Sequence, residues 1–90
     1  MKNQYYKWIY YEDEKEYSLL IPIIKNPREC LAVSYDEFTK QMGVSFNFYP
    51  ISDYNENVDL EDELYSFKKP PKKIRKELEK EAVAAVFVNG

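Results

Sequence analysis

The chain has no histidine, one cysteine (Cys30), two glycines (Gly43 and Gly90) and no long apolar run. Each scarcity excludes something. Without histidine it lacks the commonest general base near neutral pH and the commonest metal ligand. With a single cysteine as well, a structural zinc site or a Cys–His nucleophile cannot be assembled within one chain. An internal disulfide is excluded, which fits a reducing compartment. Two separated glycines cannot form a phosphate-cradling loop. The longest apolar stretches, 19–24 and 82–88, fall far short of the ~20 residues that a membrane span requires. The start MKNQYYKW carries no apolar signal core. The expectation is a soluble, cytoplasmic, non-catalytic protein with no cofactor, no bound metal and no membrane contact.

What the chain does have is aromatic mass and sorted charge. Aromatic residues make up 17% of its 90 residues, enough to support one compact core, so residues 1–90 are read as a single domain. Residues 12–66 hold thirteen Asp/Glu against four Lys/Arg, a net of −9, whereas 67–90 hold seven Lys/Arg against three Glu, a net of +4. With Lys2 and Lys7 added, the total is −3. An acidic body beside a basic tail can recruit partners of opposite charge at either end.

The fold class expected is α+β: a small, mostly antiparallel sheet of three to four strands packed against a C-terminal helix and one or two short helices. Gln4–Tyr11 reads as a strand with aromatics on both faces, and Tyr17–Ile24 as its hairpin partner across the polar turn 12–15. Pro22 puts that partner at an edge or on a bulge. Cys30–Val33 reads as a short strand. Ser34 and Glu37 form a capping box, flanked by Val33 and Phe38 as a hydrophobic staple, which predicts a helix closed by Gly43. A rival reading makes 27–42 one helix, capped by Asn26 with Pro27 in its first turn. In 44–49, Val44, Phe46 and Phe48 alternate with polar residues and predict a strand with that face buried. Leu60, Leu64 and Phe67 suggest a short helix over 59–67. The basic segment continues as a helix over about 71–87, with Ile74, Leu78, Ala82 and Ala85 as its inner stripe. A strand over 83–88 is the lesser alternative.

Two charged segments are candidate sites. The acidic set is Asp53, Glu56, Asp59, Glu61, Asp62 and Glu63. As a calcium loop it fails at the decisive places, with Val58 where the turn needs glycine and Leu64 where a bidentate glutamate is needed. As a surface, carboxylates spaced on a scaffold can occupy a groove meant for phosphates, because that electrostatic term ignores sequence. Small, acidic, aromatic-rich composition is similar to that of phage-encoded inhibitors of host nucleic-acid enzymes, a similarity that rests on composition and on no motif. The basic set is Lys68, Lys69, Lys72, Lys73, Arg75 and Lys76, placed where cations oppose the helix macrodipole. These cations could hold an anion, or bind nucleic acid with Tyr5, Tyr6, Trp8, Tyr10 and Tyr11 as a stacking strand. They could equally fold onto the acidic run that ends at Glu63. A sequence pI near 5.0 weighs against direct nucleic-acid binding.

The leading expectation is therefore a protein-binding module whose acidic surface engages a basic partner. Homodimerisation through Ala82–Val88 or an edge strand is expected alongside it, and a purely structural homo-oligomeric subunit is the remaining class.

Overall fold

The computed structural model describes residues 6–23, 25, 26, 28–47, 50–54 and 64–89, with the side chains of 53 and 87–89 excepted. Five strands, β1 (Lys7–Tyr11), β2 (Glu16–Pro22), β3 (Cys30–Asp36), β4 (Met42–Asn47) and β5 (Tyr65–Ser66), precede one helix, α1 (Lys72–Asn89). The sheet order is β4-β3-β2-β1-β5, and every neighbouring pair is antiparallel. The α+β class is as expected, with one strand more than the upper count. Of the short helices, the one expected after Ser34 is not found and residues 59–63 of the other lie outside the described residues; a 3-10 turn at Ile51–Asp53 is the one other helical element among the described residues.

Burial on both sides explains the doubly aromatic β1. Its Trp8 and Tyr10 face the same side as Tyr17, Leu19, Leu31 and Val33, and α1 closes that side with Leu78, Ala82 and Ala85. Ile9 faces the other side, with Leu20, Cys30 and Ala32, under Tyr54 and Tyr65. Lys7 is drawn to the same side, where its ammonium donates to the Tyr54 carbonyl at 2.6 Å and lies 5.1 Å from the Phe67 ring centre. Leu78 is fully buried; its transfer out of water contributes about 1.5–3 kcal/mol. The helix runs to Asn89, so 83–88 is not a strand. It starts behind buried Pro70, and the Arg75 N–H donates to the Pro71 carbonyl at 2.9 Å.

Three local expectations are corrected. Residues 34–42 are not a helix, nor are 27–42: β3 continues through Ser34 and Tyr35 to Asp36, and Gly43 lies within β4. The capping chemistry is real but belongs to Asp36, whose Oδ1 accepts the N–H groups of Phe38 and Thr39 at 2.8 and 3.1 Å. A hydrogen-bonded turn follows, closed by Lys40 N–H to Asp36 O at 2.7 Å, and Lys40 at φ 59° reverses the chain into β4. Pro22 marks no edge, because β2 is flanked on both sides. Hydrogen bonding alternates along an antiparallel pair. Since Glu37 N–H bonds Lys15 O, Pro22 opposite Cys30 turns its missing donor away from β3, two residues past the last described β1 pair, Lys7–Leu20. Finally, Tyr65–Ser66 is a strand and not part of a helix over 59–67, with Tyr65 buried and Leu64 and Phe67 exposed.

Candidate protein-binding surface

Register brings carboxylates from two hairpins to one end of the sheet. Glu16 on β2 stands directly opposite Asp36 on β3. The turn 12–15 lies beside the turn 37–39, joined by Glu37 N–H to Lys15 O at 3.1 Å. Glu12, Asp13, Glu14, Glu16, Asp36 and Glu37 thus share one rim. Several are fixed by neighbours: Tyr10 Oη donates to Glu37 Oε1 at 3.0 Å, and Ser66 Oγ donates to Glu12 Oε2 at 2.9 Å. Burial raises the Glu16 carboxyl above its ordinary value, the nearby charges of Glu14 and Asp36 push the same way, and a hydrogen bond with Ser34 opposes them. Glu16, crowded by Glu14 and Asp36, gains from an arriving cation.

Beside this rim runs the open edge of the sheet. Met42, Val44 and Phe46 lie opposite Tyr35, Val33 and Leu31, on the side that α1 covers over β2 and β3. The helix does not extend over β4, so Val44 and Phe46 are 43% and 49% exposed and Phe38 at the hairpin tip is 79% exposed. The alternating strand is therefore present over 44–47, with Phe48 and Tyr49 outside the described residues, but the face that carries Val44 and Phe46 is not buried. An apolar patch rimmed by charge is the usual composition of a protein-binding surface.

Neither sequence-derived set maps onto this end. Of the acidic set, Asp53 ends the 3-10 turn, while Glu56, Asp59, Glu61, Asp62 and Glu63 lie outside the described residues. The basic set spans the coil before α1 and its first turns. Lys69, Lys72, Lys73 and Lys76 are exposed, and Arg75 is half-buried. The Lys68 ammonium lies 4.7 Å from the Tyr10 ring centre, so its described partner is an aromatic face. The stacking strand is unavailable as proposed from sequence: Trp8 and Tyr10 are buried, Tyr6 and Tyr11 are half-buried, and Tyr5 lies outside the described residues. Sequence reading missed the carboxylate rim because Glu12–Glu16 and Asp36–Glu37 are twenty residues apart and only the β2–β3 register joins them.

Cys30 is fully buried, and burial pushes its thiol up to about 11, the opposite of what a nucleophile needs. Among the described residues no group of three or more Cys, Asp or Glu is placed to hold a metal, and no helix is long and apolar enough to cross a membrane. No family model, curated protein or solved structure significantly matches the chain.

Proposed function

We propose that the chain is a non-catalytic protein-binding module whose acidic sheet end docks onto a basic surface of another protein. The observation that carries this reading is the convergence of Glu12, Asp13, Glu14, Glu16, Asp36 and Glu37 at the tips of two adjacent hairpins. The acidic segment Asp53, Glu56, Asp59, Glu61, Asp62 and Glu63 is a second proposed contact set, on charge alone. A basic groove that accepts nucleic-acid backbone is the partner of fitting chemistry, because carboxylates on a stiff scaffold satisfy the same cations. In its sharper form the module is a small inhibitor or accessory protein of a phage or mobile element, acting as a DNA mimic on a host nucleic-acid enzyme. Binding of anions or nucleic acid by Lys68, Lys69, Lys72, Lys73, Arg75 and Lys76 is the rival, and burial of Trp8 and Tyr10 removes two of the five aromatics that would support it.

The test reverses charge where the fold has least at stake. Asp13 and Glu14 are exposed turn residues, so the Asp13→Lys/Glu14→Lys variant keeps the fold. Affinity capture from the native host is run with both forms across a salt series, with double-stranded DNA as competitor. The expected result is a partner released by DNA, weakened by salt and lost with the variant. Capture indifferent to all three rejects the reading. Salt-sensitive binding of labelled DNA by the chain itself favours the basic rival instead.

A further inference from the structure

The two edges of the sheet are not treated alike. The β5 edge is two residues long and runs straight into Lys68, Lys69, Pro70 and Pro71, which are standard protections against strand addition. The β4 edge has none of these. Met42–Asn47 contains no charge and no proline, and it sits in the longest uncharged run of the chain, residues 41–52, in a sequence that is 32% charged.

Hydrogen-bond parity shows what this edge offers. Asp36 N–H bonds Gln41 O at 3.0 Å. The inward-bonded residues of β4 are therefore Gly43, Ser45 and Asn47, opposite Ser34, Ala32 and Cys30. Met42, Val44 and Phe46 direct their N–H and C=O groups outward, and their exposed apolar side chains stand on the helix-covered side.

We infer that β4 pairs antiparallel with β4 of a second copy, making a continuous ten-stranded sheet with a two-fold axis at Val44. The strand is self-complementary about that point. Val44 meets its own copy, Met42 meets Phe46, and Gly43 meets Ser45, so large residues face large ones and small residues face small ones. A two-fold pairing sets any charge near its own copy, and this stretch has none. The carboxylate-bearing hairpin tips fall at opposite ends of the paired strands, which avoids repulsion and leaves both acidic ends open. An uncharged strand gives a charged partner nothing to read, which favours a copy over a basic protein at this edge. The inference stands apart from the acidic-end reading.

Sedimentation velocity over a concentration series tests it. The native chain is expected to move from monomer toward twice its 10.8 kDa mass. Val44→Lys, which sets a charge beside its own copy at the two-fold axis, is expected to weaken the association about tenfold or more. Val83→Lys, on the 70% exposed helix face, leaves it unchanged. Far-UV circular dichroism checks that each variant folds. Amide exchange on the native chain needs no variant: Val44 and Phe46 gain protection as concentration rises, whereas Ser45, bonded within its own sheet, is protected throughout. A native chain that stays monomeric, an open-ended aggregate, a dimer that survives Val44→Lys or one lost with Val83→Lys overturns the inference, as does exchange at Val44 and Phe46 that ignores concentration.

Discussion

Tyr10 reaches across β2 to hold Glu37: its hydroxyl donates to Oε1 at 3.0 Å from a side chain that is itself buried under α1. The phenol is thereby tied to its neutral form. Burial first, and then the Glu37 carboxylate, raise it from 10.0 to about 12. A group bound more tightly to its proton in the folded state supports that state fully below its unfolded pKa and loses the support as pH rises through the folded one. Tyr10 therefore holds the fold up to about pH 10 and ceases to do so by about 12. Burial also raises Tyr17 and Tyr54, so an alkaline titration of phenolate absorbance should show a group of late tyrosines that is one fewer in Tyr10→Phe. The variant should also lower the urea midpoint at neutral pH and flatten the decline of stability within that window. A late group of the same size in the variant would assign the titration elsewhere.

Glu16 gives the opposite kind of prediction, since its charge opposes folding. Its carboxyl is raised by burial and by Glu14 and Asp36. The folded state is favoured when Glu16 is protonated, and that gain is lost as pH climbs through the raised value. Glu16→Gln keeps an acceptor for Ser34 and removes the charge. Because the side chain is half open to water, screening limits the effect to roughly a few tenths of a kcal/mol at neutral pH. The measurement is the denaturant midpoint of both forms at neutral and acidic pH: the variant leads at neutral pH, and the gap closes below the ordinary carboxylate range.

The β3–β4 hairpin shows where sequence legibility ends. Ser34, Glu37, Val33 and Phe38 have the spacing of a helix start, and the turn has no Gly, Asn-Gly or Asp-Gly to announce a reversal. Lys40 takes the left-handed position at φ 59° and Lys15 does the same at 54°. Lysine tolerates that region poorly, so pattern reading does not look for it there. The strand-forming residues of β1 and β2 were readable from their aromatic and β-branched composition, and β4 and the inner stripe of α1 from periodicity, both of which are local. Exposure of Val44 and Phe46 was not, because it depends on β4 standing at an edge beyond the helix. The carboxylate rim was illegible for the same reason, being a product of register.

That left-handed lysine makes a direct test. Non-glycine residues there are disfavoured by about 1–2 kcal/mol, while glycine loses about 0.4–1 kcal/mol more backbone entropy on folding. Lys40→Gly should therefore stabilise by about 0.5–1 kcal/mol, and Lys40→Val should destabilise by more than that, because a β-branched residue fits the region worst. Urea denaturation of the pair reads both signs. A stable Lys40→Val would mean that the hairpin does not turn at this residue.

The attachment of α1 to the sheet rests on one leucine more than on any other side chain. Leu78 is fully buried between Ala82 and Ile74 on the inner stripe. Leu78→Ala removes its transfer energy and leaves a cavity, a loss of about 2–5 kcal/mol. That is a large share of the ~5–15 kcal/mol available to a domain. Val83→Ala on the solvent side should change stability by no more than about 0.5 kcal/mol. Thermal denaturation followed by circular dichroism separates the two; equal effects would contradict the packing of this helix face.

Ser18 and Ser34 share a hydrogen bond of 2.7 Å on the side of the sheet away from α1, and Ser18 is buried. The pair matters less for what it adds than for what either half would leave behind. A buried hydroxyl without a partner costs about 1–3 kcal/mol, whereas removing both partners together is nearly neutral. Ser34→Ala strands Ser18 and also frees Glu16 from the hydrogen bond that offsets its burial, so it should be the most damaging of the three variants. Ser18→Ala costs less, because Ser34 keeps Glu16. The double variant should be more stable than Ser34→Ala alone, with a coupling of about 1 kcal/mol in a double-mutant cycle. Strict additivity of the two single effects would show that the hydroxyls do not depend on each other.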